Sequence, residues 1–257
     1  MNVTNQNTWS LTELANHFGT DKGTVGPSTN WGAHNYTDIY EAYFAPLREA
    51  PITLLEIGMG IETKIAHGRN ATGGASIRMW ETYFPNAKIY GCDIRSATFL
   101  DNERVHTFVV DQGSLAAWTA WLEANPDLWF DIVIDDGSHL AEHQQLTFSM
   151  LFPRVKPQGY YIIEDLNDKG AERNSQRPVV STRHLFKQYF RNGLPQPHAI
   201  QDRRVLDDIA TATFHVPKIG VSPIRHVHKL LRGLPGRPMN PLRFKPDSEK
   251  LCVIRKR

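Results

Sequence analysis

Between residues 52 and 166 the sequence repeats one pattern: a short apolar run ending in an acid, then a stretch of helical character. The apolar runs are ITLLEIGMG (52–60), AKIYGCDI (87–94), RVHTFVVDQ (104–112), FDIVIDDG (130–137) and GYYIIEDL (159–166). Interleaved with them are GASIRMWETYF (74–84), SLAAWTAWLEA (114–124) and AEHQQLTFSMLF (141–152), which predict helices. Short apolar strands joined through helices lie parallel and are covered on both faces. The pattern therefore predicts an α/β fold on a doubly wound, mostly parallel sheet.

The flanks add to this core. Ser10-Leu-Thr-Glu13 is a capping box, so a helix follows with Leu11, Leu14, Ala15 and Phe18 on one face, ending near Gly19. A glycine-rich loop and an aromatic helix that stops before Pro51 complete an N-terminal helical extension, residues 1–50. On the far side, STRHLFKQYFRN predicts a helix ending at Gly193. DIATATFHV (208–216) and KLCVIRKR (250–257) predict an antiparallel hairpin on the sheet edge, separated by a Pro/Gly/Arg-rich insertion at 217–249. For 257 residues one domain is the economical reading, with a cofactor- and metal-binding core at 51–168 and a substrate side at 169–257.

With 40% hydrophobic residues the chain can bury a proper core, and a net charge of +2 gives no reason to expect nucleic acid. No window approaches 18 consecutive apolar residues, so no membrane span is expected. The opening MNVTNQNTWSLTELANHFG lacks the basic and apolar regions of a signal peptide. Cys92 and Cys252 both sit in apolar runs and read as buried hydrophobes of a reducing compartment. A cytoplasmic protein is the expectation.

In an open doubly wound sheet, ligands bind beyond the carboxyl ends of the strands. Here those ends carry Glu56, Asp93, Asp111-Gln112, Asp135-Asp136 and Glu164-Asp165. A dinucleotide site wants three glycines, because a pyrophosphate must approach the backbone at a helix N-terminus. The run after the first strand is Gly58-Met-Gly60-Ile-Glu62-Thr63, which lacks the third glycine and puts a carboxylate where phosphates would lie. S-adenosylmethionine suits acidic strand ends better, since it carries a sulfonium and an ammonium and no phosphate. Asp93 is placed to accept the ribose hydroxyls, Asp111-Gln112 to address the adenine amine and Asp135 to face the cofactor amine.

The fourth and fifth strands should be neighbours, roughly 5 Å apart, which brings Asp136 beside Glu164 and Asp165. Three converging carboxylates repel one another unless protonated or bridged by a cation, and hard oxygen ligands select Mg²⁺.

LLEIGMG, GGASIRMWETYFPNAKIYGCDI, IVIDDGSH and YYIIEDL, with the upstream DKGT and HNYTDIYEAYF, resemble the metal-dependent sugar O-methyltransferases. The resemblance spans roughly residues 17 to 168. It implies a class I fold, S-adenosylmethionine, Mg²⁺ and transfer of a methyl group to a sugar hydroxyl. Motif by motif, it implies cofactor contact at Glu56, Gly58, Ser76, Asp93 and the end of the third strand, and Gly60 on the same turn is a further cofactor candidate. It implies metal binding at Asp136, Glu164 and Asp165, and a base at His139. The loop IETKIAHGRNAT (61–72), between the glycines and the next helix, departs from the family's pattern by its length. Relatives of this kind often self-associate, so a homodimer is an expectation without an interface signature.

A sugar hydroxyl is a weak nucleophile that needs alignment and loss of its proton. His139, just past the Gly137-Ser138 turn, is placed to take that proton as general base, next to Asp136. His143, His34 and Tyr36 are candidate substrate contacts, each equally open to a surface or core role. Two other functions compete. HLAEH (139–143) matches a zinc-protease pattern, without an obvious third ligand downstream. The basic stretch Ile224 to Lys245 could instead dock an anionic ligand on a cofactor-holding partner protein that performs no catalysis.

Overall fold

A computed structural model describes residues 8–26, 33–61, 72–166, 179–217 and 249–257. Seven strands form one sheet: β1 (Thr53–Ile57), β2 (Lys88–Asp93), β3 (Val105–Val109), β4 (Phe130–Asp135), β5 (Val155–Ile163), β6 (Ile209–His215) and β7 (Leu251–Lys256). Their order is β3-β2-β1-β4-β5-β7-β6, with β7 antiparallel to both neighbours and the rest parallel. The predicted doubly wound sheet with an antiparallel edge hairpin is what forms. Strand order reverses between β1 and β4, so a crevice opens there at the carboxyl ends.

One face is covered by α1 (Leu11–Phe18), α2 (Thr37–Phe44) and α3 (Ala75–Tyr83); the other by α4 (Leu115–Ala124), α5 (Ala141–Leu151) and α6 (Thr182–Asn192). The capping box of α1 forms as expected: the Ser10 amide donates to Glu13 Oε2 (2.8 Å) and the Glu13 amide to Ser10 Oγ (3.3 Å). Gly19 ends the helix at φ 76°. Between the N-terminal helices and the sheet, Tyr40, Phe44, Trp80 and Phe84 make one aromatic cluster, with centroids 5.2–6.2 Å apart.

Period-two alternation sorts the strand residues between two cores. Leu54, Ile132, Ile134 and Ile162 face the α1–α3 side; Leu55, Ile57, Val133, Tyr161 and Ile163 face the α4–α6 side. The parity carries on into the acids, and it decides what each of them meets.

Several strands depart from the expected bounds: β1 stops at Ile57 rather than 60 and β4 at Asp135 rather than 137, and β5 and β3 depart for reasons the structure shows. β5 begins at Val155 rather than 159, because Pro157 and Gly159 sit in an irregularity of the β4–β5 register instead of a turn. β3 stops at Val109 because the Asp111 carboxylate accepts the Gly113 amide (2.9 Å) and turns the chain. Most of the 61–72 loop and of the basic 217–249 insertion lies outside the described residues.

Candidate active site

On the α1–α3 face, Glu56, Asp136 and Glu164 share the parity of Leu54, Ile134 and Ile162 and converge on one cation. The Lys22 ammonium donates to Asp136 Oδ2 (2.6 Å) and Glu164 Oε1 (2.7 Å) and lies 3.4 Å from Glu56 Oε1. Lys22 is 1% exposed. It stays charged because Asp136, Glu164 and Glu56 together outweigh its burial, which alone would lower its pKa. The loop holding it is tied down: the Tyr36 and Thr37 amides donate to the Lys22 carbonyl, and Asn16 Oδ1 accepts the Thr24 and Val25 amides. Burial pushes the carboxyls of Glu56, Asp136 and Glu164 up, with the Asp136 charge adding to the rise at Glu164.

Asp136, His139 and Asp165 each offer a ligand atom within 4.8 Å of the others. His139 Nε2 lies 3.9 Å from Asp165 Oδ2, and its Nδ1 is buried with no hydrogen-bond partner among the described residues. Of the expected metal ligands, Asp136 and Asp165 are together, whereas Glu164 is drawn toward Lys22 and the Tyr40 hydroxyl through Oε1. Its Oε2 is buried with no hydrogen-bond partner among the described residues. A buried carboxylate oxygen without a partner costs free energy unless a cation or donor meets it, so the donor set fits a hard divalent ion. Burial raises the Asp165 carboxyl, but His34, His139 and the Tyr36 hydroxyl outweigh it and hold the group below its ordinary range.

The N-terminal extension closes this side. The Tyr36 hydroxyl donates to Asp165 Oδ1 (2.6 Å), and His34 Nδ1 lies 3.7 Å from the same oxygen. Two of the expected substrate contacts thus meet the metal group, Tyr36 as a buried brace and His34 partly exposed. Asn35, His139 and Asp165 adopt φ of 53°, 59° and 48°. Left-handed backbone is unfavourable for residues with a side chain, and its concentration here marks a functional constraint. A cavity of about 360 Å³ borders Asn35 and is lined also by Asp38, Ile39, Tyr43, His215 and Val216; His139 and Asp165 are not among its lining residues.

The cofactor-side residues divide. Asp93 Oδ2 accepts the Met59 amide (2.9 Å) and Oδ1 the Arg95 amide (3.2 Å), so Asp93 braces the glycine turn from a partly exposed position. Gly58, at φ 87°, lets β1 approach β4: a Cβ there would lie 2.2 Å from the Asp136 carbonyl oxygen. Gly60 is exposed on the same turn, and the Ser76 hydroxyl donates to Glu56 Oε2 (2.6 Å). Asp111 is exposed at the end of β3.

Asp135 and Gln112 depart from expectation. Asp135 has the opposite parity to Asp136 and is fully buried against α5. Its oxygens accept from Gln112 Nε2 (2.7 Å) and Thr147 Oγ1 (2.6 Å), while Gln112 Oε1 accepts the Ser138 amide (2.7 Å). Neither side chain is turned outward to a cofactor; each is used to hold β3, β4 and α5 together. His143 is also away from the metal group. Its Nδ1 pairs with Ser138 Oγ (2.8 Å) and its ring sits over Gly113. The zinc pattern fails for the same reason: His139 precedes α5, and the two rings point to different partners.

Several relatives share this sequence. The chain is 42% identical over 156 residues to the 8-demethyl-8-alpha-L-rhamnosyl tetracenomycin-C 2'-O-methyltransferase of Streptomyces olivaceus, covering 61% of this chain and 37% of that protein. It is 38% identical over 158 residues to the mycinamicin VI 2''-O-methyltransferase of Micromonospora griseorubida, covering 61% and 36%. The solved structure of MycE methyltransferase with Mg, SAH and mycinamycin VI matches 98% of this chain and 55% of its own, with a TM-score of 0.66 and 26% identity. Over about three fifths of its length the chain is similar to these sugar O-methyltransferases. It spans little more than a third of the length of those curated relatives, and no protein-family model matches it. The relationship agrees with the seven-stranded topology and with the sugar-methyltransferase resemblance of residues 17–168.

Lys22 and Tyr40 were not expected in the site. A lysine in a glycine-rich loop ordinarily reads as solvated, and the DKGT and HNYTDIYEAYF motifs that hold Lys22 and Tyr40 marked the segments without giving either side chain a role. The sorting of Asp135 from Asp136 did have a signal, the apolar alternation of FDIVIDD itself.

Proposed function

We propose that this chain is an S-adenosylmethionine- and Mg²⁺-dependent O-methyltransferase acting on a hydroxyl of a sugar or glycoside. The observation that carries the reading is the cluster of Asp136, His139 and Asp165, with the orphaned Glu164 oxygen, at the switch point of this sheet. Asp136, Asp165 and Glu164 would hold the metal. Glu56, Gly58, Gly60, Ser76, Asp93 and Asp111 would form the cofactor side. When bound, the cofactor supplies the methyl group, and the metal fixes the acceptor and lowers its hydroxyl pKa.

The chain's own residues do the rest. His139 Nε2 takes the hydroxyl proton, and Asp165, 3.9 Å away, stabilises the imidazolium so formed. Tyr36 fixes Asp165 from behind, and His34 faces the acceptor. The sugar or its aglycone would enter along the cavity between α2 and the end of β6. The mycinamycin VI bound to MycE supports an acceptor of the glycoside class. A cytoplasmic location, a single domain divided near residues 50 and 168, and self-association as a dimer belong to the same proposal. Among the described residues, no helix is long and apolar enough to cross a membrane.

The test is methyl transfer from labelled S-adenosylmethionine to a panel of rhamnosides and other glycosides, with and without EDTA. Turnover that survives EDTA would remove the metal from the mechanism. His139→Ala should lose at least about 100-fold in kcat, and near-normal turnover would remove the base.

A further inference from the structure

Each carboxylate beside Lys22 has two oxygens, and the ammonium engages one of each. It holds Asp136 by Oδ2 and Glu164 by Oε1, with Glu56 Oε1 3.4 Å away. Among the described residues Glu164 Oε2 is buried without a hydrogen-bond partner, and Asp136 offers a carboxylate oxygen within 4.8 Å of the ligand atoms of His139 and Asp165. The reaction proposed above has no step for Lys22. Yet the side chain is 1% exposed, and the segment carrying it is hydrogen-bonded at Lys22 itself and again at Thr24 and Val25.

We propose that Lys22 is a built-in counter-ion of the metal site: it keeps the carboxylates assembled when no metal is present and tempers the affinity for the divalent ion. The inference rests on the reading that this site binds Mg²⁺. Three clustered acids with no cation would repel one another or remain protonated. One tethered positive charge removes that penalty in the metal-free protein. The same charge then opposes an incoming divalent ion, so Mg²⁺ binds more weakly than the bare carboxylates would allow.

The experiment compares wild type with Lys22→Met and Lys22→Gln, free of cofactor and acceptor. Thermal unfolding is followed in EDTA and in Mg²⁺, and Mg²⁺ binding is titrated by calorimetry. In EDTA, the Met variant should unfold about 10 °C below wild type, as expected when a buried ion pair loses one partner. Mg²⁺ should raise its midpoint at least twice as far as that of wild type, and its Mg²⁺ dissociation constant should tighten about tenfold. Glutamine, which keeps a donor but no charge, carries the same expectations should the methionine variant not fold. Unchanged or weaker Mg²⁺ binding in the folded variant overturns the proposal, because a merely structural lysine would not oppose the metal. Wild type that binds no Mg²⁺ at all would instead overturn the metal reading of the site.

Discussion

Asp135→Ala separates the two acids that the sequence sets side by side. Asp135 is fully buried, and its carboxylate accepts from Gln112 Nε2 at 2.7 Å and Thr147 Oγ1 at 2.6 Å. Alanine strands the Gln112 amide, while Thr147 keeps its bond to the His143 carbonyl (2.8 Å). Leaving a buried donor unpaired costs about 1–3 kcal/mol, and each hydrogen bond to a charged acceptor contributes about 1.5–3. Against this stands the relief of removing a carboxylate whose pKa burial has raised. The net loss is about 3 kcal/mol, which for a chain of this size lowers the melting midpoint by about 6–12 °C. Folded Asp135→Ala should still bind S-adenosylhomocysteine within about threefold of wild type, because no oxygen of Asp135 is turned to the crevice. Calorimetric unfolding and ligand titration on the same preparation decide it. A variant that melts with wild type but binds the ligand tenfold more weakly would refute the structural role and restore the cofactor role.

Gly58→Ala should be among the most damaging single-methyl additions. It places a Cβ 2.2 Å from the Asp136 carbonyl oxygen at φ 87°, so the strain of about 1–2 kcal/mol is joined by a forced separation of β1 from β4. Loss of soluble protein, or a melting midpoint lowered by 6 °C or more with weakened Mg²⁺ binding, is expected; wild-type stability would contradict the close packing. Tyr36→Phe removes one hydrogen bond from Asp165 and leaves the ring. It should raise the Mg²⁺ requirement of turnover severalfold and cost about 1 kcal/mol of stability. At the other end of the cavity, burial lowers the pKa of His215, whose Nε2 pairs with the Tyr43 hydroxyl (2.9 Å). A histidine with a lowered folded pKa takes its proton in the unfolded chain first. Its contribution is therefore whole above about pH 6.5 and lost as pH falls below it. His215→Gln should flatten the fall in melting temperature between pH 7.5 and 5.5, and an unchanged slope would exclude His215 as its source.

What could be read in advance follows the range of the forces involved. Alternating apolar runs specify strands because every other side chain must be buried, so all seven strands were visible. So was the α1 cap, since Ser10 and Glu13 satisfy each other locally. The convergence of Asp136 with Asp165 also followed, because adjacent parallel strands bring their ends together. Asp135 was read by its position at a strand end, whereas parity buries it against α5 with Gln112 and Thr147 as partners. The DKGT motif drew attention to the segment of Lys22 but not to its contacts: it meets acids 34, 114 and 142 residues away, and no local pattern encodes contacts made across such separations. Glu164 illustrates the same limit, since the Tyr40 hydroxyl that shares its oxygen belongs to a helix that otherwise reads as core packing.

The charge of the site argues for the kind of ligand it takes. Glu56, Asp136 and Glu164 converge on the Lys22 ammonium, so among the described residues three buried carboxyls share one directly paired cation. Burial raises all three carboxyls, and the Asp136 charge raises Glu164 further, so added positive charge is favoured here. A divalent ion, or a cofactor bearing a sulfonium, would bring that charge. A dinucleotide would instead bring two more negative charges to the same crevice, at a turn where Gly58 and Gly60 are not followed by the third glycine of a phosphate cradle. The acids that end the strands therefore select against phosphates and for cations. Lys22 covers part of that demand permanently, and the rest is left for ligands that come and go.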